Sequence, residues 1–247
     1  MSEDEDLPPS VAAAWGRRAR PAKGPQRGLS VARIVAAAIH TAQADGLAAV
    51  SMNRVAASLG TVGMSLYRYV SGKEELVELM VDQAYGPPPP LPAGDWRAGL
   101  HAWARAQRAV LTAHPWITDV PISGPPLGPH AVAWFESGLR CLAGTALTEH
   151  EKVFSVMLVG SLVRDQAILR ADLARAAARA AGAGRPVPAY GRVLRQLVDT
   201  QRFPALTAVL DAGVFDDGGD DEQWPEFDFG LERVLDGIAF LLAARRG

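Results

Sequence analysis

Apolar residues recur along this chain at intervals of three and four, the period of a helix with one buried face, and no useful stretch shows the alternation of a strand. From Ser30, a favoured N-cap, the residues Val31, Ile34, Val35, Ala38 and Ala42 share one face of a helix that Asp45-Gly46 stops. A second helix, Met52 to Leu59, turns Met52, Val55, Ala56 and Leu59 inward and Asn53, Arg54, Ala57 and Ser58 outward. Ser51 caps its start, and Gly60 suits the left-handed residue that ends it. Over Val62 to Val70 the same rule turns Val62, Leu66, Tyr69 and Val70 inward. It leaves Gly63, Met64, Tyr67 and Arg68 outward with Ser65 at the border. Ser71-Gly72-Lys73-Glu74 reads as a capping box that opens the next helix.

Gly86 and the four prolines after it can neither continue a helix nor pair in a sheet, so a boundary is expected there. Asp95 then caps a helix running to His114, with Leu100, Trp103, Ala104, Gln107 and Leu111 on one side and Pro115 at its end. A Pro/Gly-rich loop through Pro129 leads to a helix carrying Trp134, Phe135, Leu139 and Cys141. Thr148-Glu149-His150-Glu151 is another capping box, and the helix it opens is apolar nearly all round, from Val153 and Phe154 to Leu162 and Val163. Such a helix must be covered on both sides, one by its own domain and the other by a second subunit. The alanine-rich run to Gly184 reads as helix tail or connector. A helix around Val193 to Gln201 is expected to be interrupted by Pro204, and the acidic segment near 216–222 to be a mobile loop. Pro225 opens a last helix with Leu231, Val234, Leu235, Ile238, Leu241 and Leu242 as its stripe. The expected organisation is all-α: a disordered basic arm (1–28), a three-helix helix-turn-helix domain (29–86), a Pro-rich linker (87–94) and a larger helical domain for ligand binding and dimerisation (95–247).

Composition allows this, since 247 residues with 49% hydrophobic content can bury a substantial core. A net charge of −2 argues by itself against a nucleic-acid binder, so distribution decides. Arg17, Arg18, Arg20, Lys23 and Arg27 cluster before the first long helix, while Asp211, Asp216, Asp217, Asp220, Asp221 and Glu222 crowd a late segment. The potential at one face can therefore be positive although the whole is not. The arm is either a solubilising leader or a strand of arginines that reaches phosphates or a minor groove. A single cysteine, Cys141, excludes an internal disulfide and reads as a small buried hydrophobe or, as the alternative, a redox switch. No signal segment and no apolar run long enough to span a bilayer is present, so a cytoplasmic protein without membrane association is expected.

Two short helices joined by a glycine turn form the helix-turn-helix unit, whose second helix enters the major groove through its N-terminal residues. Lys73 falls where free backbone N–H groups and the helix dipole attract a phosphate. From Leu29 to about Tyr85 the chain resembles the N-terminal domain of TetR-type transcriptional repressors. LSVARIVAAAIHTAQADGL matches the first helix, SMNRVAASLG the second and MSLYRYVSGKEELVELM the recognition helix with the one behind it. The resemblance implies that Tyr67 and Lys73 hold phosphates and that Gly63, Met64, Ser65 and Arg68 lie along base edges or backbone. With Ser51, Asn53, Arg54 and Thr61 these form the candidate DNA-contacting set. Thr61-Val62 after Gly60 departs from the family's usual apolar-then-polar pair, which makes Thr61 the candidate cap one residue early. The acidic side of the following helix, Glu74, Glu75, Glu78 and Asp82, is expected to point away from DNA. FDFGLERVLDGIAFLL more loosely resembles the last helix of the family's larger domain, where two helices per subunit build a dimer contact. Phe154, Leu158, Leu162, Val234, Ile238 and Leu241 are the candidates for it, and a two-fold dimer suits two half-sites about 34–36 Å apart.

The five histidines are scattered, without metal-ligand spacing, and Gly72-Lys73 lacks the Ser/Thr and upstream glycine of a phosphate-binding loop. There is no G-x-S-x-G either. No catalytic residue, metal or cofactor is therefore expected. Trp103, Trp134, Phe135, Met157 and Arg164 are the candidate effector pocket, combining apolar walls with few polar groups, although each would serve equally as core. Arg164-Asp165 reads as a local ion pair, a dimer contact or a polar effector's anchor. The leading expectation is a homodimeric repressor that leaves double-stranded operator DNA when an unidentified small molecule binds. The rival is a helical small-molecule-binding protein or enzyme with no DNA role.

Overall fold

The computed structural model describes residues 9–17, 29–122, 124–184, 189–216 and 224–245, and among them every regular element is helical. The described residues fall into two compact units, one drawn from the chain up to Ile168 and from Leu231 onward, the other spanning Leu169–Gly230.

In the first unit, α1 (Pro9–Ala14) precedes α2 (Val31–Asp45), α3 (Met52–Ser58), α4 (Gly63–Leu66) and α5 (Lys73–Tyr85). The caps follow the chemistry of the chain. Ser30 Oγ accepts from Arg33 N–H at 3.3 Å and Ser51 Oγ from Arg54 N–H at 3.2 Å, each satisfying one orphan donor of a helix start. Gly46, Gly60 and Gly86 end α2, α3 and α5 with φ of +81°, +67° and +58°, where a side chain would be strained. Ile34, Val35, Ala38, Val55, Ala56, Leu66, Val70 and Leu76 close the small core between these helices.

No regular helix occupies 86–95, and Asp95 then caps α6 (Trp96–Ala113), its carboxylate accepting from Arg97 and Ala98 N–H at 2.9 and 3.1 Å. A 3-10 turn, Pro115–Asp119, leads by an irregular segment to α7 (Pro129–Leu142), which begins on its proline. Helix α8 (Glu149–Gly182) opens on the expected box: Thr148 N–H donates to Glu151 Oε2 at 2.8 Å and Glu151 N–H to Thr148 Oγ1 at 3.4 Å. The alanine-rich run is thus helix tail as far as Gly182. Gly138 lets α6, α7 and α8 meet closely, since a Cβ there would stand 2.9 Å from Val156 and 3.1 Å from the Trp103 ring.

Several expectations fail. The segment before residue 28 is not wholly irregular, because Pro9–Ala14 is helical and the Trp15 indole donates to the Leu127 carbonyl at 2.8 Å. Arg18, Arg20, Lys23 and Arg27 lie outside the described residues, as do 217–223 of the acidic segment. Pro204 does not merely interrupt a helix but starts one, because proline costs nothing at the first helical position: α9 (Tyr190–Leu197) is followed by α10 (Pro204–Asp211).

On α11 (Pro225–Ala244) the stripe of Leu231, Leu235, Ile238 and Leu242 is buried within the single chain. Ile238, expected at a subunit contact, is only 5% exposed, whereas Phe240 points outward at 78%. The apolar period was right, but it packs against the chain's own core. Val234, Leu241 and, on α8, Leu162 are half-buried at the margin. Phe154 and Leu158 stand outward on α8, 63% and 55% exposed, opposite the inward Val156, Val159 and Val163.

In the second unit, Arg170 lies over the Trp224 ring at 4.9 Å and pairs with Glu226. Arg195 joins Asp216 at 2.7 Å and the Leu210 carbonyl. That pairing draws the Asp216 carboxyl below the usual carboxylate range.

Candidate nucleic-acid interface and effector cavity

The turn after α3 is built by Leu59, Gly60 and Thr61, whose N–H groups return to Ala56 and Ala57 carbonyls at 3.0–3.1 Å. Helix α4 follows at once and is shorter than the pattern implied. Gly63–Leu66 alone is α-helical, and Tyr67–Tyr69 form a turn closed by Tyr69 N–H and Val70 N–H on the Leu66 carbonyl. Leu66 and Val70 point inward as expected. Val62 does not: it is the N-cap, with no side-chain capping bond, and its side chain is 67% exposed. Thr61 therefore does not take the cap. A four-residue helix has barely one turn, too short for a period to fix which way its first residue points.

The candidate DNA-contacting residues are brought together unevenly. Met64, Tyr67, Arg68 and Lys73 are exposed, with Met64 at 77%. Ser65 and Thr61 are half-buried. Gly63 is half-buried too, because Asn53 of α3 lies against it; a Cβ on Gly63 would stand 2.2 Å from Asn53 Oδ1. Ser51 is committed to its cap. Arg54, expected simply to face outward, is held by the Asp45 carboxylate at 2.6 Å. Both side chains are about half-exposed, so this pair is weak.

Lys73 is the first residue of α5, behind Gly72 in extended conformation. The capping box at this helix is shifted by one residue. Ser71 N–H and Ser71 Oγ both donate to Glu75, not Glu74, and Glu75 is buried. On the acidic side of α5, Glu74 and Glu78 are exposed while Asp82 is half-buried and committed to a partner helix. Asp82 Oδ1 accepts from His130 and Ala131 N–H at 3.1 Å, capping α7. His130 Nδ1 lies 3.0 Å from the Asp82 carbonyl, which can only accept, so that nitrogen carries the proton. Gly128 permits the approach, since a Cβ there would meet Asp82 Oδ1 at 2.2 Å. Asp82 thus ties the last helix of the helix-turn-helix segment to the first turn of α7.

Between α5, α6, α7 and α8 lies a cavity of about 640 Å³. All five residues suggested for a pocket, Trp103, Trp134, Phe135, Met157 and Arg164, line it. The Trp103 indole donates to the Trp134 carbonyl and the Trp134 indole to the Gly86 carbonyl, both at 2.9 Å, and Tyr85 meets Trp134 edge-on at 6.1 Å. Burial raises the Tyr85 phenol above its ordinary range, with Arg164 opposing. Arg164 does not form the pair with Asp165 that adjacency suggested; its Nη2 donates to the Val120 carbonyl at 2.8 Å. Sequence reasoning missed Tyr85, Glu78 and Asp82, which reach the cavity from α5, and Val11 and Ala14 from α1. No signal in α1 pointed there, because its partner carbonyl is more than a hundred residues away. Among the described residues, no group of three or more His, Cys, Asp or Glu could hold a metal, and no helix is long and apolar enough to cross a membrane.

Residues 34–80 match the family model described as bacterial regulatory proteins, tetR family, and residues 88–242 match the tetracyclin repressor-like, C-terminal domain. The chain is 37% identical over 252 positions to the HTH-type transcriptional repressor DrrR1 of Streptomyces coeruleorubidus, covering 98% of this chain and 89% of that one. Among solved structures it is similar to the Streptomyces coelicolor TetR family protein ActR in complex with actinorhodin. The TM-score is 0.72 at 25% identity over 87% of this chain and 97% of that chain. Apo ActR shares the fold with a TM-score of 0.70 at 23% identity, over 86% and 96% of the two chains.

Proposed function

Because the chain belongs to the TetR family of DNA-binding transcriptional regulators, we propose that it acts as a homodimeric repressor, released from its operator when a small molecule fills the cavity behind α5. The rival reading, a helical carrier or enzyme without a DNA role, falls with family membership. The observation that carries the release mechanism is that one helix serves both tasks. Lys73 opens α5 beside the reading turn, and Glu78, Asp82 and Tyr85 on the same helix wall the cavity. A ligand shifts the equilibrium only as far as it binds one conformation better than the other. An occupant that pushes α5 from α7, against the Asp82 cap and the Trp134 indole on Gly86, favours a different spacing of the two reading heads.

A volume of about 640 Å³ with tryptophan walls suits a drug-sized, flat, largely apolar compound. Arg164, the cation among the described lining residues, suits a compound with an acidic or phenolic edge. ActR, of the same fold, was solved with actinorhodin bound, which supports a small-molecule occupant here. The setting is the cytoplasm, where operator DNA is found. Ser51, Asn53, Arg54, Thr61, Gly63, Met64, Ser65, Tyr67, Arg68 and Lys73 are the proposed DNA side.

A gel shift on DNA upstream of the protein's own gene tests this. Affinity should fall by about 10³–10⁵ between 50 and 200 mM salt if the dimer engages roughly 6–10 phosphates. A panel of aromatic acids and phenols should contain members that dissociate the complex, and Trp103→Ala should blunt their effect. A response indifferent to salt, or release unchanged in the Trp103 variant, would refute the reading.

A further inference from the structure

We propose that Val62 and Met64 read thymine, each placing its apolar side chain against a C5-methyl group in the major groove of the half-site. The inference rests on the DNA-binding reading above and names what the reading turn recognises. Val62 is 67% and Met64 77% exposed, although the pattern of the chain would bury Val62. Neither is spent on the fold: Val62 is an N-cap whose side chain makes no capping bond, and the core beneath α4 is filled by Leu66 and Val70. Single exposed apolar residues are ordinary on protein surfaces. Here two stand within three positions at the start of the helix whose N-terminal residues face base edges in this motif, with exposed Tyr67, Arg68 and Lys73 beside them. A cationic surround and an apolar tip match a duplex, whose phosphates flank the groove.

The chemistry of the groove then selects the base. Guanine, adenine and cytosine offer acceptors and donors there, which valine cannot engage at all and methionine engages only through a weakly accepting sulfur. The thymine methyl is the one apolar feature on a base edge. Arg68, by contrast, has the donors to read guanine. The expected half-site therefore carries thymines where Val62 and Met64 approach.

The test begins by selecting tightly bound duplexes from a randomised pool with the full-length protein. Each thymine of the selected site is then replaced by deoxyuridine, which keeps the base pair and deletes only the methyl. For the parent, two positions per half-site should lose about fourfold in affinity for each methyl, and about fifteenfold when the methyl at one position is removed from both half-sites. In Val62→Ala the penalty at one of these positions should vanish, and in Met64→Ala that at another, while the remaining positions behave as in the parent. Both side chains are exposed, so the variants keep the parental fold, which circular dichroism and the melting temperature verify. Deoxyuridine tolerated throughout by the parent overturns the inference while leaving DNA binding intact. So does a penalty undiminished in both variants. Failure to select any duplex would instead sink the reading on which the inference rests, and the inference with it.

Discussion

A lysine at the first turn of a helix concentrates three attractions for a phosphate: its own charge, the free backbone N–H groups and the dipole. Lys73 holds that position and is exposed, and Gly72 before it leaves the approach open, since nothing lies within 4 Å of where its Cβ would be. Replacing Lys73 with alanine should weaken binding to every duplex alike and lower the steepness of the salt dependence by about one for each phosphate no longer engaged. Arg68→Ala should change which duplexes are preferred. Titrations of specific and random DNA at several salt concentrations separate the two, and a Lys73 variant with parental affinity and slope would remove the phosphate assignment. Other residues at this scale were not readable from the chain. The start of α5 at Lys73 was legible, but the partner of Ser71 was not: the box expected with Glu74 forms with Glu75. Arg54 was not, because its partner Asp45 lies on another helix and an outward position on a helical wheel says nothing of who waits outside.

Elements were most legible where a polar side chain closes a helix end. Ser51, Asp95 and the Thr148–Glu151 box all sit where the sequence placed them, and so do the buried faces of α2, α3 and α6. What failed were elements shorter than two turns or dependent on a distant partner: α1, docked through Trp15, and α4, whose first residue turned outward. The box on α8 also makes a pH prediction. Glu151 is held below the ordinary glutamate range chiefly by the Thr148 N–H, then by the Thr148 hydroxyl and Arg245. A carboxylate lowered in the folded state adds stability that is complete above its unfolded pKa and is lost as pH falls through the folded one. Glu151→Gln should therefore melt below the parent at neutral pH. That gap should close as the pH drops below the ordinary glutamate range. A gap constant across the acid range would show that the carboxylate's charge plays no part in closing α8.

For the whole molecule, an operator of two half-sites about 34–36 Å apart requires two reading heads held one helical turn apart. Each chain carries one short helix of this kind, Gly63–Leu66, so two half-sites call for two copies. The sequence assigns Phe154, Leu158 and Leu162 of α8 and Val234, Ile238 and Leu241 of α11 to the contact with a second subunit; Ile238 is buried in its own chain, because a period reveals that a face is buried and not which copy buries it. The surface left uncovered in the single chain centres on two of those candidates, Phe154 and Leu158, with Phe240 exposed on α11. Leu162, Val234 and Leu241 remain candidates for its edge. If this surface joins two copies, Phe154→Glu with Leu158→Glu should leave the fold of each subunit intact, since neither side chain is part of its core. The charges would be buried unpaired across the contact, and sedimentation should find a single-chain particle where the parent sediments at twice that mass. Operator affinity should drop by about 10²–10⁴, the advantage that tethering two sites confers, while affinity for an isolated half-site stays near parental. A double variant that remains dimeric would move the contact off α8, and one that turns monomeric yet keeps full operator affinity would mean that the two heads bind independently.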